Sequence, residues 1–498
     1  MNSRTFTFCS FILLALSSRQ AAGQDTVHVT LEQAVDMAIA RGLVASDITS
    51  RYLSARKRAE SAQRSAWTSV GLSVTAPSYS QALTQQFNPL TGNYEYYQLQ
   101  STSYNGALVI SQPLTLTGGT LRLTQSIMGQ SQVSAEPGTN STISNYFGDY
   151  GIELQQPIFA GNQLRQNADR ADIQLRQAES DFLNNQLDLI YNVTEGFYTL
   201  YQQLRRLDIV REQVRQDQES YNTAQSKYTG GLIPEVEVLQ SDVDLASSRN
   251  DSLTAERDVA QAKNSFRLLL GISPDADVVP EGDVVYEPVV IDSAKAIGSA
   301  LRFRSEAVSA ERDIELRDID LAAAKSANNF RLDLTARYGA NKTDTLFRDV
   351  FSNLNSTRSA TLTLSVPVFD WGRNGRTIEA AEIDYRNART QRDYVLQQVR
   401  QETLDLLKKI SVAQSRNEVL RKSVAVAQQS YDISLQRFRN GMINRNDLAQ
   451  TQARLTTAKL NALSALIDYK LGVADLCRKT HWDYEANSEV TPVIRPAD

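Results

Sequence analysis

Histidine and cysteine are almost absent from this chain, two of each in 498 residues. His28 and His481 lie far apart in sequence, and no group of residues has metal-ligand spacing. No glycine-rich phosphate loop follows a strand pattern, so no catalytic or cofactor constellation stands out. The expected protein is not an enzyme and carries no cofactor or metal. Basic blocks are missing too, and the formal net charge is −5, which argues against nucleic acid as a partner. Beyond the N-terminus no apolar run approaches the ~18 residues a membrane-spanning helix needs. An exported chain of this kind is either soluble or builds a β-barrel.

Residues 1–23 read as a secretory signal peptide. Arg4 precedes the apolar run Phe6–Leu16, and Ala21-Ala22-Gly23 supply small residues before Gln24. Cys9 lies inside that run, a poor site for lipidation. The processed chain would keep only Cys477, which leaves no intrachain disulfide.

What the chain has is a copy of itself. Gln156-Pro157-Ile158-Phe159 recurs as Val366-Pro367-Val368-Phe369, and Lys227-Tyr228-Thr229-Gly230-Gly231-Leu232-Ile233 as Arg437-Phe438-Arg439-Asn440-Gly441-Met442-Ile443. Pro157 and Pro367 are 210 residues apart, as are Gly231 and Gly441. A repeat this long is not a short solenoid unit. It implies two similar halves, 24–271 and 292–481, joined by the proline-rich linker 272–291 and followed by a polar, loose tail at 482–498.

Each half reads as helix, strands, long helix, glycine turn, returning helix. The first helix spans about Leu31–Ala66, with Thr30 and Gln33 forming a capping box. Its counterpart spans about Ser293–Ser326. Val70, Leu72 and Val74 then alternate with Ser69, Gly71, Ser73 and Thr75, and Leu362, Leu364 and Val366 with Thr361, Thr363 and Ser365. A soluble sandwich and a membrane barrel both show this period of two. From Leu164 an apolar ladder with steps of 3 and 4 runs to Tyr228 without a proline, a helix of ~100 Å at 1.5 Å per residue. The second half keeps much of it, from Ile378 to Phe438. Returning helices run from about Pro234 to Leu270 and from about Arg445 to Leu476. The first half carries about 52 extra residues between Pro77 and Asp149, because the offset between halves is 262 before the strands and 210 after. Gly118-Gly119 between alternating stretches predicts an added hairpin there. Asn88–Tyr97 reads as an exposed loop, and segments 88–92 and 137–140 as positions tolerant of insertion.

Carboxylates on the long helices are best read as solvated faces. The helix tips differ. Glu237 and Asp447 each follow a tip glycine by six residues, and Gln240 and Gln450 by nine. Acids in a first turn also favour the positive end of a helix dipole. A ring of acids on an axis requires the chain to assemble with its tips converging.

Taken together, the duplicated strand–helix junctions (Pro157, Phe159, Pro367-Val368-Phe369-Asp370-Trp371-Gly372-Arg373), the two tip motifs and Leu31-Glu32-Gln33-Ala34 resemble the TolC-type outer-membrane efflux proteins, over essentially the whole processed chain. The resemblance implies an α+β membrane protein with an internal two-fold repeat. A homotrimer would pool strands into one outer-membrane β-barrel in outer-membrane lipid, and the long helices would form a periplasmic α-barrel closed at its tip. It further implies a periplasmic adaptor (membrane fusion protein) and an inner-membrane pump of RND or ABC type, with small molecules or secreted proteins as cargo. Elementary packing agrees, since a long helix with a narrow apolar seam needs lateral neighbours and a few strands cannot close a barrel alone. The family's aperture maps onto Glu237, Asp447, Gln240, Gln450, Phe438, Arg439 and Arg445. Its tip turns and adaptor contacts map onto Gly230, Gly231, Leu232, Gly441 and Met442. Departures are Phe438 for a tyrosine, Ile443 for a base, Gln450 for a second acid, and an insert beyond two strands per repeat. The alternative, a non-transporting cell-surface coiled coil, explains the heptads but not the duplicated strands.

Overall fold

The computed structural model describes residues 26–88, 91–136, 139–327 and 330–490. The signal-peptide reading and parts of both insertion-tolerant segments lie outside them. In chain order the elements are β1 (Thr26–Val29), α1 (Leu31–Arg41), α2 (Leu43–Arg64), β2 (Ser69–Asn88), β3 (Asn93–Leu114), β4 (Gly119–Glu136), β5 (Thr139–Ile158), α3 (Gln163–Thr229) and α4 (Glu235–Leu270). They continue with β6 (Asp277–Pro280), α5 (Ser293–Phe303), α6 (Ser305–Ala327), β7 (Arg331–Asp344), a 3-10 turn (Phe347–Phe351), β8 (Asn355–Ser365), α7 (Arg373–Arg439), α8 (Arg445–Thr480), β9 (Trp482–Asp483) and β10 (Ser488–Glu489). Both α3 and α7 have 67 residues, and both α4 and α8 have 36. Each pair is offset by 210 at both ends.

The chain divides into two compact units. One takes in the chain up to Ile48, Asn185–Ser293 and the chain from Leu404; the other takes in Thr49–Asn184 and Ala294–Thr403. Each unit draws on both halves of the sequence.

In the helical unit, Val193 and Leu200 of α3, Phe266 and Leu270 of α4, Ile410 of α7, and Tyr469 and Leu476 of α8 are fully buried. The capping box forms as read: Gln33 N–H donates to Thr30 Oγ1 (3.3 Å) and Thr30 N–H to Gln33 Oε1 (3.1 Å). The single helix expected over Leu31–Ala66 is instead broken at Gly42, which is extended (φ −67°, ψ 136°). A Cβ there would strike the Ala38 carbonyl, and a Cβ on Gly271 would come within 3.1 Å of the Gly42 Cα, so close backbone approach forces the break. The matching helix of the second half breaks at Arg304, in the other unit. The guanidinium of Arg304 is held by Glu306 (2.9 Å) and Glu402 (2.7 Å). Within the linker, β6 pairs in parallel with β1, Thr26 facing Asp277. The stretch 482–490 is not loose, because β9 and β10 pair there. Both pairings join segments that carry no periodic signal of their own.

The second unit holds one antiparallel sheet of order β2-β3-β4-β5-β7-β8. The added hairpin is β3–β4, turning at residues 115–118. The expected loop Asn88–Tyr97 ends early, since Asn93 already pairs with Asn88. One cross-strand row reads Val70, Ile110, Leu123, Ile152, Tyr338 and ends in Arg358, whose guanidinium lies 5.4 Å from the Tyr338 ring centroid; the next row, on the opposite face, reads Ser69, Ser111, Arg122, Glu153, Arg337, Ser359. Period-two patterning thus becomes a sheet with one mainly apolar and one polar face.

Candidate functional site: two matched helix tips

Both tips end their long helix in the same way. At the first, Leu232 N–H donates to Lys227 O (2.9 Å) and Gly231 N–H to Tyr228 O (2.8 Å). At the second, Met442 N–H donates to Arg437 O (2.9 Å) and Gly441 N–H to Phe438 O (3.0 Å). These are Schellman caps, and Gly231 and Gly441 both sit at φ 73°, a conformation costly for any residue with a Cβ. Gly230 has no positive φ. Gly231→Ala or Gly441→Ala should each cost about 1 kcal/mol, while Gly230→Ala should be neutral. Thermal unfolding of the three variants checks this, and equal effects would rule out the backbone explanation.

Glu237 and Asp447 occupy the third position of α4 and α8 respectively. Asn444 caps α8, its Oδ1 accepting from Asp447 N–H (2.9 Å), whereas Pro234 caps α4 without a side-chain bond, just outside the first turn where it was expected. Asp447, Gln450, Gln240 and Arg439 are exposed, and Glu237 is half-buried. Leu232 and Met442 are 76% and 70% exposed, so each tip presents one apolar knob.

Phe438 and Ile443 explain the missing family residues. Phe438 is buried in an apolar cluster with Tyr431, Leu448 and Leu455, and Ile443 packs against the same cluster. A hydroxyl or a charge at these places would lose its water there. Over Phe438 lies Lys227, which sequence reasoning passed over. Its Nζ donates to Phe438 O (2.8 Å) and lies 4.2 Å from the ring centroid, joining the end of α3 to the end of α7.

Arg445 is the other bridge. It is buried, its Nη2 donates to Gln240 O (3.0 Å), and it forms an ion pair with Asp244. Burial pushes its guanidinium below the ordinary value, and the charges of Asp217 and Glu237 oppose that. Arg445 thus joins the start of α8 to α4 within one chain. Deeper along α3, Asp217 Oδ1 accepts from Gln452 Nε2 of α8 (2.9 Å). Burial raises the Asp217 carboxyl above the usual carboxylate range, with bonds from Ser248 and Gln452 holding it back. Asp217 sits on the apolar ladder between Val214 and Tyr221, as Arg445 and Gln452 do with Leu448 and Leu455, and a polar residue on a seam is the signal that was there to read.

An acid whose folded pKa is raised binds its proton more tightly when folded. Its contribution therefore favours the fold at low pH and is lost as pH rises through the raised value. Asp217→Asn should raise the melting temperature by a few degrees at pH 7.5 and leave it unchanged below about pH 4, where an unfolded aspartate is also protonated. A stabilisation equal at both pH values would contradict this.

At the other ends of the long helices lie the junction residues. Phe159 (φ 64°) is exposed, with its ring 5.3 Å from Phe330; Phe369 is exposed beside Trp371 at 4.8 Å. Pro157 is the penultimate residue of β5, opposite Asp333, and Pro367 follows β8. Asp370 accepts from Gly372 N–H and Asn374 N–H (2.9 Å each), starting α7.

This combination, a one-sided sheet and paired long helical hairpins with matched tips, is that of an outer-membrane channel. The chain belongs to the outer membrane efflux protein family, whose model matches residues 120–272 and 297–477. That family is one of efflux channels rather than enzymes, and the chain is located in the outer membrane and periplasm. It is similar to the outer membrane efflux protein BepC of Brucella suis (22% identity over 64% of this chain and 68% of that one). It is also similar to outer membrane protein OprJ of Pseudomonas aeruginosa (21%, 58% and 60%) and to the cation efflux system protein CusC of Escherichia coli (24%, 50% and 52%). The chain thus spans about half to two-thirds of the length of these relatives. Its fold resembles the crystal structure of VceC from Vibrio cholerae, with a TM-score of 0.68 at 15% identity over 93% of this chain and 97% of that one.

Proposed function

We propose that this protein is the outer-membrane duct of a tripartite export system. Three copies pool their sheets into one β-barrel in outer-membrane lipid, and their helical hairpins form a periplasmic α-barrel that narrows at the tips. An inner-membrane pump of RND or ABC type loads it through a periplasmic adaptor. Cargo is small molecules or secreted proteins. The observation that carries this reading is the sheet: its apolar face suits lipid, its polar face a water-filled lumen, and β2 and β8 are its outer strands. The equal lengths and constant offset of the paired helices support two repeated halves, 24–271 and 292–481. On α7, Val412, Val419, Val426 and Ile433 are 59%, 67%, 64% and 47% exposed at intervals of seven, a seam suited to a neighbouring helix.

At the tips, Glu237 and Asp447 would line the aperture with Gln240, Gln450 and Arg439, and Leu232 and Met442 beside Gly230, Gly231 and Gly441 would meet the adaptor. The exposed aromatics at the junctions suit a membrane interface. Membrane fractionation and mass measurement in detergent test the assembly. The expected result is an outer-membrane trimer that precipitates without detergent, and a water-soluble monomer or coiled-coil dimer would overturn it.

A further inference from the structure

Six strands, not four, run side by side in this sheet, and the additional pair is β3–β4. Its register against β5 is unbroken, and against β2 it runs unbroken from Ser69 to Thr75, where a β-bulge before Ser78 shifts it. Leu108 faces Leu72 across β2, and Leu123 faces Ile152 across β5. The four strands β2 to β5 have 20, 22, 18 and 20 residues, and β7 and β8 have 14 and 11, so all six reach the ~9–11 residues that a tilted membrane strand needs. The two-sided pattern also crosses the added hairpin, with Gln112 and Gln125 as exceptions on its apolar side and Val109 on its polar side. Leu108, Ile110, Leu121 and Leu123 continue the apolar face of Val70, Leu72, Ile152 and Leu154. Ala107, Ser111, Arg122 and Ser126 continue the face of Ser69, Asp149, Glu153 and Arg337. A hairpin standing in water outside the wall would have no use for a leucine and isoleucine face in register with its neighbours.

We propose that the β3–β4 hairpin is part of the membrane wall and that the trimer closes a barrel of eighteen strands, three copies of six, where two strands per half would close one of twelve. This rests on the duct reading above. With strands ~4.8 Å apart and tilted ~40°, eighteen enclose about 36 Å between backbones, against ~24 Å for twelve. After ~6 Å of side chain on each side, the lumen is ~24 Å wide rather than ~12 Å. An α-helix with its side chains is about 10–12 Å across. The wider barrel therefore passes a helical hairpin or a similarly bulky polymer, where the narrower one just admits a single helix, an extended chain or a small molecule. In this chain the barrel does not restrict cargo to small molecules.

Strand counting by electron cryomicroscopy of the full-length protein in lipid nanodiscs is the direct test. Labelling with a water-soluble maleimide, in a background lacking Cys477, is the companion measurement. Ala107→Cys and Ser126→Cys should label from the lumen, and Leu108→Cys and Leu123→Cys should be protected by lipid. The expected result is a trimer with an eighteen-stranded wall and that alternating pattern. A trimer with a twelve-stranded wall, the hairpin outside it and all four cysteines labelled would overturn the inference while leaving the duct intact. The absence of any trimeric barrel would instead remove the duct reading itself.

Discussion

The double variant Glu237→Gln/Asp447→Asn will lose most of the channel's preference for cations. Both residues occupy the third position of a helix that starts at a tip, at places related by the 210-residue offset. In a trimer they give six carboxylates around a narrow opening, where low-dielectric walls focus the field and concentrate counter-ions. Removing them should reduce the cation-to-anion permeability ratio several-fold and weaken block by divalent cations from the periplasmic side. The fold should survive. The Asn444 cap accepts from the backbone of Asp447, not from its side chain, and each lost helix-dipole interaction costs only about 0.3–1 kcal/mol. Reversal potentials in planar bilayers read the ratio. An unaltered ratio would reduce both acids to ordinary first-turn residues.

Arg445→Ala should open the tip. The Arg445 guanidinium, with 8% side-chain exposure, ties the start of α8 to Gln240 O and Asp244 of α4, and it faces the charges of Asp217 and Glu237. Removing it takes this base away from acids in a partly buried place. Taking away one member of a buried pair costs about 3–5 kcal/mol, and the 46% exposure of Asp244 brings the expectation here nearer ~2 kcal/mol. Because the lost contacts join the two hairpins where they turn, the loss should appear as raised and noisier conductance of the closed channel. Arg445→Lys should recover the charge but not the reach of the fork, giving an intermediate conductance. If Arg445→Ala lowers the melting temperature while closed-state conductance stays at the parental level, Arg445 is a packing residue and not a latch. Lys227→Met offers an independent comparison, since it removes the bond to Phe438 O while leaving an apolar stem over the ring.

The sequence by itself determined what depends on neighbours a few residues away. The Thr30–Gln33 capping box, the two glycine tips and the long proline-free helices are set by hydrogen bonds between residues three to five apart, so their signals are contiguous. The duplication was visible because the two halves solve the same local problem with similar residues. The alternation of Val70, Leu72 and Val74 announced a strand, but not its partners. Tertiary structure alone decided that the sheet has six strands, because strand order depends on pairings such as Ile152 with Tyr338, which no local pattern encodes. It also decided the pairing of β1 with β6 and the break at Gly42, where another backbone comes too near for a Cβ. Above all it decided the wiring of the tips. Lys227 meets Phe438, Gln452 meets Asp217 and Arg445 meets Gln240 across more than 200 residues of chain. A buried charge declares itself in sequence only as a polar residue on an apolar seam, and its partner is chosen by the packing that brings distant helices together.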